Sequence, residues 1–310
     1  MPLHDDVAEV LRVVNAAGAP ALGDGTPAQA RANYDAAPKP TPDRVERVED
    51  VTIPGPAGDI ACRIYADSTT GVLPVVAFFH GGGWVLSSVD GHDSLARRIA
   101  KRSGAMVVSV EYRLAPEHPF PAPHDDCWAV TRCLSEHAAS LGGDSSRLAV
   151  AGDSAGGNLA AGVALRARDE GVPLTFQVLV YPCIDTEQTR PSMTENAAGY
   201  FLTATDMDWF WGHFVPADRR AEPYAVPARA DEQHGLAPAL VQTAEYDPLR
   251  DEGEEWAARL AAAGVPTQVT RYGGVVHGFA SRWHQMAAAE DAHDEIGRAL
   301  RTAFSSDARP

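Results

Sequence analysis

The sequence predicts an α/β fold, a mostly parallel eight-stranded sheet with helices on both faces, and three observations carry that prediction. From about residue 74 onward, strand-like and helix-like segments alternate, the order that crossover helices impose on a parallel sheet. Two earlier strand-like segments, 49–54 and 60–66, are separated by Pro54-Gly55-Pro56-Ala57-Gly58, a turn that makes them an antiparallel hairpin on the sheet edge. Four of the strand-like runs end in loops that carry consecutive glycines, a serine, an acid or a histidine. In an open parallel sheet such strand ends share one edge, where ligands bind.

After the hairpin comes a β-branched and aromatic strand at 74–79, a helix at 92–102, a strand at 105–111 and a helix at 124–139. An apolar strand at 147–151 runs straight into a helix at 155–168, and a strand follows at 175–181. The chain then offers a strand at 239–245, a helix at 250–263, a final strand at 267–272 and a last helix at 283–304. No internal repeat or low-complexity tract appears, although residues 20–42 are rich in Ala and Pro.

The run 148–151 leads directly into Gly152-Asp153-Ser154-Ala155-Gly156, which places a serine at the tip of a strand-to-helix turn. Glycines flank it because the turn strains the serine backbone, and larger side chains there would meet the incoming helix and the neighbouring strand. Taken alone, the pentapeptide also fits a glycine-rich turn of a nucleotide-binding α/β protein. The strand at 74–79 ends in His80-Gly81-Gly82-Gly83-Trp84, whose backbone N–H groups are free to converge on a developing oxyanion. A phosphate loop would follow its glycines with Lys and then Ser or Thr, whereas Trp84-Val85-Leu86 stands here. Downstream, Asp247 follows the run Ala239–Tyr246, and His277 follows the strand at 267–272 after Gly273-Gly274-Val275-Val276. Serine, acid and histidine thus come in the chain order of a nucleophile, the carboxylate that orients the imidazole, and the general base. Singly, Asp247 reads as a helix N-cap and His277 as a satisfied loop histidine. Four such loops at four strand ends read as one site.

These blocks, together with Glu111-Tyr112-Arg113-Leu114-Ala115-Pro116-Glu117, Asp247-Pro248-Leu249-Arg250-Asp251-Glu252 and His277-Gly278-Phe279, resemble the signature blocks of the bacterial hormone-sensitive-lipase-like carboxylesterases over about residues 45–304. The resemblance implies the α/β-hydrolase fold with a helical cap, Ser154 as nucleophile, Asp247 and His277 as its partners, and the amides of Gly82, Gly83 and Ala155 as an oxyanion hole. It divides the chain into a first cap part at 1–45, core at 46–185, a second cap part at 186–228 and core at 229–310. It implies a small-molecule ester substrate with a short to medium acyl chain, a glycine loop suited to bulky alcohol moieties, and two-step acyl transfer that needs no cofactor. An amide or formamide hydrolase, such as a deacetylase or arylformamidase, would share every motif. A noncatalytic binding relative would have lost the histidine that this chain keeps, and a peptidase of the fold would bring a propeller for which the chain is too short.

Within the cap, Val7, Val10, Leu11 and Val14 recur at helical spacing and form one apolar face. Met207, Trp209, Phe210, Trp211 and Phe214 are apolar nearly all round a short helix between Thr205 and Pro216, and most are expected to pack against the first helix. Trp84, Tyr200, Phe201, Leu202, Trp209 and Phe210 are the candidates for an apolar acyl or alcohol pocket.

Glu111-Tyr112-Arg113 and Glu117-His118-Pro119 read as a rigid loop held by an ion pair or hydrogen bonds, and Asp153, Asp251 and Glu252 as residues that orient loops. His92, His124, His213, His284 and His293 show no partner pattern and are expected on the surface or in the cap. Cys62, Cys127, Cys133 and Cys183 make neither a zinc pattern nor a disulfide framework, and no metal is implied. The formal charge of −16 argues against nucleic acid and anionic membranes as partners. No window reaches the roughly 18 consecutive apolar residues of a membrane span, the polar start is no signal peptide, and a cytoplasmic location is expected. The last strand, with Val269 and Tyr272, offers an edge for a homodimer, unless Arg271 and Gln268 blunt it.

Overall fold

The computed structural model describes residues 1–16, 22–281 and 286–305. In chain order its helices and strands are α1 (Asp5–Ala16), α2 (Pro27–Ala36), β1 (Arg47–Gly55), β2 (Gly58–Ala66), β3 (Leu73–Phe79), α3 (Asp93–Ser103), β4 (Met106–Val110), α4 (Ala122–His137), β5 (Gly143–Asp153), α5 (Ala155–Asp169) and β6 (Phe176–Val180). They continue with α6 (Pro191–Glu195), α7 (Ala204–Phe214), β7 (Ala239–Tyr246), α8 (Arg250–Ala262), β8 (Thr267–Val276) and α9 (Ala288–Ser305). The strands form one sheet in the order β1-β2-β4-β3-β5-β6-β7-β8. β1 and β2 pair antiparallel at one edge, as do β2 and β4, and every later pairing is parallel.

Side-chain alternation assigns the two faces. Val75, Ala77 and Phe79 enter one core cluster with Leu134 of α4, Leu159 of α5 and Trp256 of α8. Val76 and Phe78 enter the other with Leu95 of α3, Ile296 of α9, and Val7 and Leu11 of α1. With both faces covered, β4 and β6 are buried at every residue, which is why these strands read as continuous apolar runs rather than as alternating ones.

The predicted strands and core helices are present, with shifted ends. β5 starts at Gly143 rather than 147, across a register shift opposite Pro74 and Val75. The last predicted helix covers 283–304; its start lies outside the described residues, and α9 begins at Ala288. α2 went unpredicted, although Thr26 and Gln29 form a reciprocal capping box in front of Pro27, a signal visible in the sequence.

One irregularity matters for the site. Ala244 pairs with Tyr272, but the next pair is Tyr246 with Val276, so β8 spends two extra residues in a bulge, where Gly274 takes a φ of +68°. The bulge carries β8 four residues past its predicted end and leaves Asp247 and His277 each one step beyond a paired position.

The aromatic residues of α7 do not pack against α1. They lie on the opposite face of the sheet, where the Phe214 ring stacks on Trp84 at 4.2 Å with 4° between planes and Trp211 approaches the same indole at 4.4 Å. The physical reason is the glycine turn before Trp84, which presents a large flat apolar surface that α7 covers. No described helix is long and apolar enough to cross a membrane.

Candidate active site

The end of β5 delivers Ser154 in a backbone conformation of φ +57° and ψ −119°, which a non-glycine residue keeps only when its surroundings enforce it. Its N–H donates to Val180 O at 2.8 Å, and α5 starts at the next residue. The turn closes tightly enough to require glycine at 156, where an added Cβ would lie 1.9 Å from Phe79 O. The Ser154 Oγ lies 2.8 Å from His277 Nε2, and His277 Nδ1 lies 2.7 Å from Asp247 Oδ2. A carboxylate only accepts, so the Nδ1 proton is directed to Asp247 and Nε2 is left to accept from the serine hydroxyl. Asp247 is fully buried and also takes the Leu249 N–H on Oδ1 at 2.9 Å. The Tyr181 ring packs beside the imidazole at 4.7 Å.

The glycine loop lies next to this chain of bonds. Gly82 and Gly83 have φ values of +114° and +60°, and their amides, like that of Ala155, engage no acceptor among the described residues. Phe210 of α7 rests on Gly83, since a Cβ there would come within 2.0 Å of the Phe210 ring. Among the other pocket candidates, Trp209 is half-buried and meets Phe210 edge-on at 5.3 Å, and Leu202 is buried in the same cluster. Tyr200 and Phe201 pack on the other cluster, Tyr200 against Tyr246 at 4.9 Å. Trp84 corrects the expectation: at φ +59° its side chain turns into the core and is fully buried under α7, so it supports the loop instead of lining a cleft. A cleft of about 490 Å³ lined by residues such as Pro54, Trp128 and Cys133 shares no residue with the Ser154, His277 and Asp247 chain. Bond geometry, not cavity size, marks the site.

The bracing residues are mostly those expected. Tyr112 donates its hydroxyl to His80 O at 2.7 Å, Arg113 forks onto Asp126 with two bonds of 2.8 Å, and Glu111 takes the Val89 N–H at 2.7 Å. Glu117 holds Arg31 of α2. Asp251 accepts from Ser192 N and Glu252 from Ile184 N. The sequence reading passed over Ser192 and Asn196, which bond Pro248 O and Asp247 O and so anchor the acid loop to the 186–228 segment. It also misplaced His92, His124 and His293, all of which are buried; His284 lies outside the described residues. His92 reaches Asp153, His124 stacks on Tyr224 and His293 bonds Ala280 O, contacts whose spacings follow no sequence period. No cluster of three or more His, Cys, Asp or Glu suited to a metal ion occurs among the described residues.

A model of the alpha/beta hydrolase fold family matches residues 76–281. The chain belongs to the hormone-sensitive-lipase-like α/β hydrolases. It is 45% identical over 263 residues to the esterase LipI of Mycobacterium tuberculosis, covering 82% of each chain. It is 42% identical over 206 residues to an ethyl acetate hydrolase of Pseudomonas putida, covering 65% of this chain and 64% of that one. Among solved structures, the ester-hydrolase EH1AB1 from the metagenome of Lake Arreo, complexed with a derivative of bipyridine phosphonate, superposes with a TM-score of 0.93 at 40% identity, over 98% of this chain and all of that one. The fold is therefore that of an α/β hydrolase, and the family is one of carboxylic ester hydrolases.

Buried Glu252 makes the fold of this hydrolase pH-dependent. Burial pushes its carboxyl from 4.5 up to about 8, against the opposing pull of the Ile184 amide, Arg190 and the Asp185 amide. A raised acid contributes stability that is fully present below about pH 4.5 and is lost as pH rises through about 8. Glu252→Gln keeps an acceptor for the amide and cannot ionise. Its melting temperature should exceed that of the wild type by more at pH 9 than at pH 6, reflecting a difference on the order of a few kcal/mol. A calorimetric difference that does not change with pH would refute this.

Proposed function

We propose that the protein is a serine carboxylesterase acting on esters of short to medium acyl chains through an acyl-enzyme on Ser154. The observation that carries this reading is the unbroken chain from the Ser154 hydroxyl through His277 to Asp247, at 2.8 and 2.7 Å. His277 takes the hydroxyl proton as Oγ attacks the ester carbonyl carbon, and returns it to the departing alcohol. Water, deprotonated by the same imidazole, then releases the acid. The amides of Gly82, Gly83 and Ala155 receive the oxyanion, and Phe210 against Gly83 forms an apolar wall beside them. Segments 1–45 and 186–228 form the cap in this reading, and the similarity to an ethyl acetate hydrolase supports a preference for small acyl groups. Four free thiols agree with a cytoplasmic location, and β8, whose Val269 is half exposed at the sheet edge, is the proposed homodimer seam.

The test is a panel of 4-nitrophenyl esters from acetate to palmitate with matched 4-nitroanilides. We expect kcat/KM to peak among the short and medium esters and to fall steeply at palmitate, with each anilide slower than its ester. A maximum at palmitate overturns the chain-length assignment, and a faster anilide moves the protein to the amide hydrolases.

A further inference from the structure

His92 takes no part in acyl transfer, yet it is buried and held at both ring nitrogens. Its Nε2 lies 3.2 Å from Asp153 Oδ2 and its Nδ1 lies 2.9 Å from Ser87 Oγ. Asp153 immediately precedes the nucleophile, and its second oxygen accepts the Gly81 N–H at 2.9 Å. Ser87 closes the other end of the glycine loop. It sits at φ +74°, one residue after Leu86, whose N–H bonds Gly82 O at 2.8 Å. The loop that starts at Gly81 and ends at Ser87 is thus gripped at both ends by one imidazole, directly at Ser87 and through Asp153 at Gly81.

We infer that His92 is a positioning residue for the oxyanion hole, holding Asp153 and Ser87 so that the amides of Gly82 and Gly83 stay aimed at the substrate oxygen. This inference rests on the carboxylesterase reading of the same site. The middle of the loop is held separately, with Trp84 O accepting the Ala115 N–H at 2.9 Å and Val85 O accepting from Arg31 Nε at 2.7 Å, so the imidazole acts on the two ends, Gly81 and Ser87. Asp153 is fixed by its own strand on one side and by two donors on the other, Gly81 N–H and His92 Nε2–H. Without the imidazole, a buried carboxylate loses one of its two donors, and it must either turn away from Gly81 or take up a proton. Burial raises the Asp153 pKa and is outweighed by His92 and the Gly81 amide, which is consistent with a carboxylate that relies on both. Either change lets the glycine amides drift, and oxyanion donors are worth most when they are preorganised. The ground-state ester makes no comparable demand on them, so the effect belongs to the transition state.

The experiment compares wild type, His92→Ala and His92→Gln in the full chain. It measures kcat and KM for 4-nitrophenyl butyrate and Ki for an aryl trifluoromethyl ketone, which adds to the serine as a tetrahedral mimic. For His92→Ala we expect kcat to fall about 10- to 100-fold with KM changed less than about threefold, and Ki to rise in parallel with the loss of kcat/KM. Glutamine places an N–H near the Nε2 position and should recover most of the loss. Ki does not depend on the fraction of active protein, so partial unfolding cannot imitate this pattern. If His92→Ala does not fold, Ser87→Ala, which removes only the Nδ1 partner, should show a smaller parallel change in kcat and Ki. A folded His92→Ala with wild-type kcat, or one whose kcat falls while Ki stays constant, overturns the inference. Wild type that turns over no ester overturns the carboxylesterase reading instead.

Discussion

Ser154→Ala is expected to lower turnover of 4-nitrophenyl butyrate by about 10⁵- to 10⁶-fold while leaving the fold intact. The size follows from the proposed mechanism, in which the hydroxyl 2.8 Å from His277 Nε2 is the nucleophile, and without it the proposed covalent intermediate has no atom on which to form. In that mechanism any residual rate comes from substrate binding and from the glycine amides proposed as the oxyanion hole, which would still stabilise attack by water. Alanine accepts the same backbone angles no worse than serine, so circular dichroism and the melting temperature should change little. Release of 4-nitrophenol measures the loss. Equal rates in both proteins would remove Ser154 from the reaction.

The second large effect separates two neighbouring acids. Asp247→Asn should cut kcat about 10⁴-fold, because an amide N–H facing Nδ1 favours the wrong imidazole tautomer and leaves the ring without a counter-charge. Asp251→Asn should stay within about tenfold of wild type: its carboxylate bonds Ser192 N–H and Arg250, braces the acid loop and does not touch the imidazole. Burst and steady-state kinetics on the two variants decide the assignment. A larger loss at 251 than at 247 would transfer the orienting role to the wrong side of the loop and refute the geometry as read.

Much of the fold was legible because the signals are local. Glycine positions at the turn after β5 announce a close approach of backbones, and the structure shows why: Gly156 lies against Phe79 O. Parallel strands buried on both faces stand out as apolar runs. Trp84 was misread because its aromatic character says nothing of direction; the positive φ values at Gly82, Gly83 and Trp84 send the indole inward. His92 was misread for a related reason. Its partners lie 5 and 61 residues away in the chain, and no periodicity links such positions.

By itself the sequence determined the order of strands and helices, the serine turn, the glycine loop and the succession of serine, acid and base, all of which depend on backbone sterics and hydrophobic period over short stretches. Only the tertiary structure decided which groups meet. The bulge in β8 aligns residue 247 with 277, α7 settles on the glycine loop rather than on α1, and a buried imidazole ties both ends of that loop. Register, crossover and side-chain direction are set by packing across the sheet, and packing is a property of the whole chain that no short window contains.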